Sequence, residues 1–314
     1  MDVDALRYFL AVVEARSMRG AAEDLHIAQS ALSRQIGNLE KELGVSLLMR
    51  LPRGVRPTEA GKMLARRARS VMDQLASARD DISALSGLTT GKVAVSAIEP
   101  VAEGLLMAAM QRMQQAYPAI SFDIRVGNSS KVTSLLREGI VELAVAYNAP
   151  HDRDIVIRAQ SHVPLVALVE ENHPLVEFKA GPGTGSGAGL GTCTLKDLAP
   201  WPLVLPPAGS PTRTLIDEAA RRAALPPLQI ALESDSVPVR LAFLQQAKAV
   251  AIMADMSGRM ARPGYRLAAI AIDDDLLASG TLQLLANRDH QLSPAAAAFE
   301  RLLRNSMRSL QGER

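Results

Sequence analysis

The 314-residue chain has a single cysteine, Cys193. One thiol excludes an intrachain disulfide framework and any all-cysteine metal site. Aromatic residues make up only 3% of the chain, so the 48% hydrophobic content must build its core from Leu, Val, Ile, Ala and Met. No run of about 18 apolar residues occurs, so no membrane-spanning helix is expected. The chain opens on Asp2 and Asp4, where a secretory signal would carry basic residues, which makes the cytoplasm the expected location. The five histidines show no metal-ligand spacing, and neither H-E-x-x-H nor G-x-S-x-G occurs. No metal, cofactor or catalytic constellation is therefore expected, and an enzyme is disfavoured. The glycine-rich stretch 179–194 holds a relaxed dinucleotide fingerprint at Gly183, Gly185 and Ala188. No strand leads into it and no helix opens at it, so it reads as a flexible surface loop with Cys193 at its edge.

Net charge is also small, at +2, and its placement says more than its size. Residues 1–90 carry 13 Lys and Arg against 11 Asp and Glu, while the remainder balances at 22 of each. Between Arg50 and Arg69 stand seven basic residues (Arg50, Arg53, Arg56, Lys62, Arg66, Arg67, Arg69) and one acid, Glu59. Beside a DNA-reading motif such a cluster is the footprint of phosphate contact. By itself it would be a solvated helix face.

That motif lies in residues 21–43. Leu6, Phe9, Leu10 and Val13 form the apolar stripe of a first helix, capped by Asp2 or Asp4. Ser17 caps a second, with Met18, Ala21, Ala22 and Leu25 facing inward. His26, Ile27 and Ala28 make a turn. A third helix buries Leu32, Ile36, Leu39 and Leu43 and presents Gln29, Ser30, Ser33, Arg34 and Asn38 on its opposite face. These groups hydrogen-bond base edges and phosphates, and the pattern is that of a helix-turn-helix. Gly44 stops the helix. Residues 45–48 and 55–57 then read as a two-stranded wing. Thr58 caps a long helix over 59–86, in which Leu64, Ala68, Val71, Leu75, Ala78, Ile82 and Leu85 repeat at 4-3 spacing. An a/d stripe this narrow predicts pairing with a second copy, and a dimer predicts a pseudo-palindromic double-stranded operator. Packing on its own C-terminal domain is the alternative.

The order AA-x-x-L-x-I, Q-S-A-L-S-R-Q-I, L-E-x-E-L-G and P-T-E-A-G resembles the LysR-type transcriptional regulators. Asn172-His173-Pro174-Leu175 is similar to a further feature of that family. The chain departs from it at Ala28, where the family usually has Ser, and at Leu48 and Leu51, where Phe and a small polar residue are usual. The resemblance implies DNA contact by Gln29, Ser33 and Arg34 first, then Ser30, Arg53 and Arg56. It also implies a homotetramer built from two dimers, with RNA polymerase as a further partner, and two α/β subdomains of periplasmic-binding-protein type that hold a small-molecule effector.

From 92 on, strands at 92–97, 120–126, 141–147, 163–169, 202–205, 264–271 and 281–286 alternate with helices at 104–115, 131–138, 212–224, 237–246 and 294–309. Alternation of this kind argues for parallel α/β units. The expected division is a winged helix-turn-helix at 1–58, a linker helix and hinge at 59–90, and an effector domain at 91–314. Its first subdomain would hold 91–162 and 268–314, its second 163–267, with crossings near 162 and 267. Ligands in open α/β sheets lie beyond the carboxyl ends of strands. That rule selects Ser96, Ala97 and Glu99, then Asn128, Ser129 and Ser130, then Gly209, Ser210 and Thr212, then Ser234 and Ser236. Hydroxyls and free helix N–H groups would suit a carboxylate; the same residue types also cap helices. Glu99 repels a second carboxylate, so it either engages an amine or points away. Asp273, Asp274 and Asp275 read as a solvated turn. The rival to a DNA-binding regulator is a solute-binding protein whose N-terminal helices serve only for dimerisation.

Overall fold

The structure, a computed structural model, describes residues 2–51, 54–84, 90–179, 191–245, 248–254 and 266–312. The N-terminal module runs α1 (Val3–Ala15), α2 (Met18–Asp24), α3 (Gln29–Leu43), β1 (Leu48–Leu51), β2 (Gly54–Pro57) and α4 (Glu59–Ala84). Asp2 caps α1 by accepting the Ala5 N–H at 2.6 Å, and Ser17 caps α2 by accepting that of Gly20 at 3.2 Å. Phe9, Val12, Ala21, Leu32, Ile36 and Leu39 form the buried core with Leu47 and Val55 of the wing. Two core assignments shift by position. Val12 is fully buried while Val13 is only partly so, and Leu43, at the end of α3, is 39% exposed.

The joints of this module explain its motifs. Glu40 turns back from α3 and accepts the N–H groups of Leu47 (2.7 Å) and Leu48 (3.1 Å), which orients the wing. Thr58 caps α4 by accepting the Gly61 N–H at 3.0 Å and donates its hydroxyl to Ser46 O at 2.8 Å. A Cβ on Gly61 would stand 2.0 Å from Leu47 O, so no other residue fits there without displacing backbone.

The C-terminal half contains two mixed sheets. The first is built from β3 (Thr90–Ile98), β4 (Ala119–Gly127), β5 (Leu143–Tyr147), β6 (Ile155–His162) and a late strand, Thr281–Asn287. Between β3 and β4 lies α5 (Glu99–Val101), which runs through a π-helical turn, Ala102–Leu106, into α6 (Met107–Ala116); α7 (Ser129–Arg137) joins β4 to β5. The second sheet follows: β7 (Leu165–Glu170), α8 (Pro174–Lys179), β8 (Thr192–Cys193), α9 (Leu195–Leu198), β9 (Leu203–Leu205), α10 (Pro211–Arg222), β10 (Ile230–Glu233), α11 (Val237–Leu244), β11 (Val250–Ala254) and β12 (Leu267–Ile272). Then α12 (Asp275–Ala278), β13 (Thr281–Asn287) and α13 (Pro294–Gly312) complete the chain.

Strand order is β4-β3-β5-β13-β6 in the first sheet and β10-β9-β11-β7-β12-β8 in the second. The expectation of parallel units holds for β3 with β4 and β5, and for β9 with β10 and β11. It fails where the chain changes sheets, since β13 is antiparallel to β5 and β6, and β7 to β11 and β12. The outward crossing lies between His162 and Leu165, close to the expected 162. The return does not fall at 267. β12 pairs with β7 and β8, so the chain stays in the second subdomain through Ile272 and crosses just before β13. Asp274 is not simply a solvated turn residue, because its carboxylate caps α12 through the N–H groups of Leu276 and Leu277. Cys193 is buried in β8. Most of the glycine-rich stretch lies outside the described residues. No helix among the described residues is long and apolar enough to cross a membrane.

Candidate functional site

Two polar surfaces stand apart from the cores. The first is the open face of α3. Gln29, Ser30, Arg34 and Asn38 are exposed and Ser33 is half-buried. None of these side chains hydrogen-bonds to another described residue, so their donors and acceptors are available to an incoming surface. The helix begins at Ala28, which has the extended backbone of an N-cap (φ −66°, ψ 134°) but supplies no side-chain cap. The first-turn N–H groups therefore point outward unsatisfied, beside the helix's positive dipole end. Arg56 is exposed on β2, whereas Arg53 lies outside the described residues.

The basic cluster divides. Lys62 pairs with Glu59 at 2.6 Å. Arg67 and Arg69 turn toward the C-terminal half and are not spread along a DNA-facing strip. Arg67 pairs with Asp289 at 3.2 Å. Arg69, only 13% exposed, donates from Nη1 to Glu138 O at 2.8 Å and lies 3.9 Å from Glu14 of α1. Gly139 packs on it so closely that a Cβ there would sit 3.4 Å from Arg69 Cβ.

The expected dimer stripe divides too. Ala68 is buried and Leu64 partly so, both against the N-terminal core, which removes them from any partner surface. Val71 and Leu75 are exposed at 37% and 41%. The side chains of Ala78 and Ile82, and Leu85 altogether, lie outside the described residues.

The second surface is a cavity of about 520 Å³ between the two sheets. Four loops line it, each following the carboxyl end of a parallel strand: β3 into Glu99, β4 into Asn128–Ser130, β9 into Pro206–Thr212, and β10 into Asp235–Val237. Of the residues selected from sequence, Glu99, Asn128, Ser129, Ser130, Gly209, Ser210, Thr212 and Ser236 line the cavity. Ser96, Ala97 and Ser234 do not. Ser96 is fully buried and donates to Val132 O at 3.1 Å, and Ala97 is core. Ser234 accepts the Ser236 N–H at 3.2 Å. Ser96 and Ala97 sit one or two residues too early, inside β3, where the side chains still point into the sheet packing, while Ser234 lies just past β10 and its hydroxyl serves the turn into α11.

Several lining groups are already engaged. Asn128 and Ser210 cap α7 and α10. Ser129 donates to Tyr147 O at 2.9 Å and accepts the Tyr147 N–H, so its hydroxyl is structural. The Tyr147 hydroxyl donates to Val163 O at 2.8 Å, and burial pushes its pKa well above the ordinary phenol value. Glu99 reaches across the cavity and accepts the Val237 N–H with Oε2 at 2.9 Å, capping α11 from the opposite subdomain.

Sequence reading missed two arginines. Arg213 holds the loop before α10 in place through Pro206 O, Asp217 and Glu233. Arg240, on α11, lines the cavity at 7% exposure, and its buried Nε has no hydrogen-bond partner. Burial pulls its pKa down to about 10, against the opposing pull of Glu99 and Asp235, so it is a cation at neutral pH. A helical arginine is ordinarily a surface residue, and only the converging loops reveal this one as buried.

A helix-turn-helix with a wing, carried by a long helix into a two-lobed α/β domain with a polar cavity between its lobes, defines a DNA-binding regulator that senses a small molecule. Residues 3–62 match the bacterial regulatory helix-turn-helix proteins of the lysR family, and residues 86–308 match the LysR substrate binding domain. The chain belongs to the LysR family of transcriptional regulators. It is 29% identical over 307 residues to the nitrogen assimilation regulatory protein nac of Escherichia coli K12, covering 96% of this chain and 94% of that one. It is 28% identical over 210 residues to the transcriptional activator CmpR of Synechocystis, covering 67% and 65%. A solved full-length OxyR variant from Pseudomonas aeruginosa shares the fold at TM-score 0.71 and 20% identity, covering 98% of this chain and 95% of that one. Full-length CbnR complexed with its target DNA shares it at TM-score 0.62 and 22% identity, covering 98% and 100%. The N-terminal helices are thus a DNA-binding module, and the rival reading as a mere dimerisation device falls.

Proposed function

We propose that this regulator reads a pseudo-palindromic operator as a dimer, and that occupancy of the inter-lobe cavity changes that reading through α7 and Arg69. The single observation that carries the coupling is the placement of α7. Its first residues, Ser129 and Ser130, line the cavity, while the carbonyl just past its end, at Glu138, accepts the hydrogen bond from Arg69 of the linker helix. A ligand that binds the N-terminal end of this nine-residue helix acts on a rigid element whose other end holds the DNA-binding arm. A ligand shifts such an equilibrium only by binding the two arrangements unequally, so the coupling requires that α7 be placed differently in them.

On the DNA side, Gln29 contacts base edges and Ser33 a base or the backbone. Ser30, Arg34, Asn38, Arg53 and Arg56 contact phosphate or the minor groove. The exposed Val71 and Leu75 continue into Ala78, Ile82 and Leu85 as the pairing stripe. Two such dimers form the tetramer, RNA polymerase is met at the promoter, and the work is done in the cytoplasm, where the DNA lies. The test is gel-shift binding to DNA upstream of the protein's own coding region, for wild type and Gln29→Ala. Salt-sensitive, sequence-selective binding that changes preference in Gln29→Ala supports the assignment; an unchanged preference removes Gln29 from base readout.

A further inference from the structure

The cavity's charges restrict what it holds. Arg240 is a buried cation with an unpartnered donor; a purely cationic ligand would leave it so, at considerable cost, whereas a carboxylate satisfies both its charge and its donor. Glu99 and Asp235 face the same space, so the lining carries one positive and two negative side chains. A dicarboxylate would add two more negative charges to that count. Glu99 uses only Oε2, on the Val237 N–H, which leaves Oε1 open. Val237 and Arg240 stand three apart on α11, and residues at that spacing share a helix face. Glu99 and Arg240 both line the cavity, where the Glu99 carboxylate acts electrostatically on the Arg240 guanidinium without forming an ion pair with it. The wall also carries apolar side chains, Ile98, Val126, Pro206, Pro207 and Met253, alongside its hydroxyl and amide groups.

We propose that the cavity takes a zwitterion, an α-amino acid with an apolar side chain. Its carboxylate is held by Arg240, its ammonium by Glu99, and its side chain lies against Val126, Pro206 and Met253. An anion and a cation separated by one carbon match an Arg and a Glu that line one cavity without pairing with each other, and a net-neutral ligand adds no charge to the lining. The open oxygen of Glu99 selects the amine, and thereby resolves the alternatives that the residue posed in sequence. This assignment rests on the reading of the cavity as the effector site, and the experiment separates the two.

Calorimetric titration of the full-length protein with L-leucine, L-isoleucine, L-valine, L-methionine and L-phenylalanine tests it. Each is run against its 2-oxo acid, which lacks the amine, and its decarboxylated amine, with succinate as the dicarboxylate. At least one amino acid binds, and its 2-oxo acid and amine bind at least about tenfold more weakly. Glu99→Gln keeps an acceptor for the Val237 N–H but loses the charge, so it erases the preference for the amine. Arg240→Gln weakens the amino acid and the oxo acid alike. An oxo acid or succinate binding as tightly as the best amino acid overturns the zwitterion, as does a preference that survives Glu99→Gln or an absence of binding by all five amino acids. An amino acid that binds equally well to Arg240→Gln and to Ser130→Trp, which fills the cavity mouth, is bound elsewhere, and overturns the cavity reading itself.

Discussion

Replacing Ala28 by Ser should strengthen the recognition helix. Ala28 already has N-cap backbone angles, is exposed, and accepts the Leu32 N–H at 3.1 Å through its carbonyl, so a hydroxyl enters without strain or steric cost. It would accept the free N–H of Ser30 or Ala31. A Ser cap in place of Ala is worth about 1 kcal/mol. That energy is a factor of about five in the opening equilibrium of the first turn, and about 4–8 °C in the melting midpoint of a unit of 60–100 residues. Hydrogen exchange on the Ser30 and Ala31 amides of the full-length protein reads the first; thermal unfolding followed by exchange across residues 2–51 reads the second. Ala28→Asp should stabilise the module at least as well, since its charge adds about 0.3–1 kcal/mol at the helix's positive end. It should weaken DNA binding, because that same charge then meets phosphate. Ala28→Ser protection unchanged within error would refute the missing cap. Asp stabilising the module with undiminished DNA affinity would refute the claim that this helix end faces DNA.

Gly61→Ala should destabilise the joint between wing and linker by about 1–3 kcal/mol. Its Cβ meets Leu47 O, which accepts the Thr58 N–H at 2.9 Å, and the overpacking and loss of that hydrogen bond outweigh the roughly 1 kcal/mol that Ala gains in a helix; urea titration measures it. Arg69→Ala should keep operator affinity within about threefold while abolishing its response to a cavity ligand, and a full response in anisotropy titrations would remove α7 from the pathway. His173 is buried against Trp201, ring centroids 4.6 Å apart, and burial holds its pKa below the ordinary value despite the opposing pull of the Lys248 backbone. The unfolded imidazole titrates near 6.5 and so binds protons the folded one refuses. Stability is therefore full above about pH 6.5 and falls as pH drops through the folded value. Urea midpoints read from the single tryptophan should show that decline, and His173→Asn should flatten it.

The N-terminal module was legible because every signal there is local. Caps, a 3.6-residue stripe and a glycine stop occupy consecutive residues, and even the bare cap at Ala28 could be read directly. Val13 displaces Val12 in the sequence reading because two overlapping stripes, Leu6-Leu10-Val13 and Ala5-Phe9-Val12, both run at helical spacing, and only the packing centres burial on Phe9 and Val12. The mixed sheets were not legible, because the direction of β13 is set by partners more than a hundred residues away. The strand 155–162, with its interrupted alternation, and the short strands 230–233 and 250–254 carry no periodicity strong enough to name. The cavity loops were found by the rule of strand ends, yet the rule is blind to register. It therefore admitted Ser96 and Ala97, whose strand still points into the sheet, and passed over Arg240, which reaches the cavity from the first turns of α11. The same distance hid the roles of Arg67 and Arg69: a basic run beside a helix-turn-helix suggests phosphate, and only the fold brings Asp289 and Glu138 against it.

The central claim is that α3, presented twice by a symmetric dimer, reads DNA sequence. Selection from a random duplex library by the full-length protein, run in parallel with Gln29→Ala at fixed salt, tests it most directly. The account predicts that wild type enriches an inverted repeat with half-sites one helical turn apart or a multiple of it, and that Gln29→Ala relaxes the same position in both halves while keeping the symmetry. Enrichment of no sequence, of a single unsymmetrical site, or of an identical motif by both proteins would contradict it.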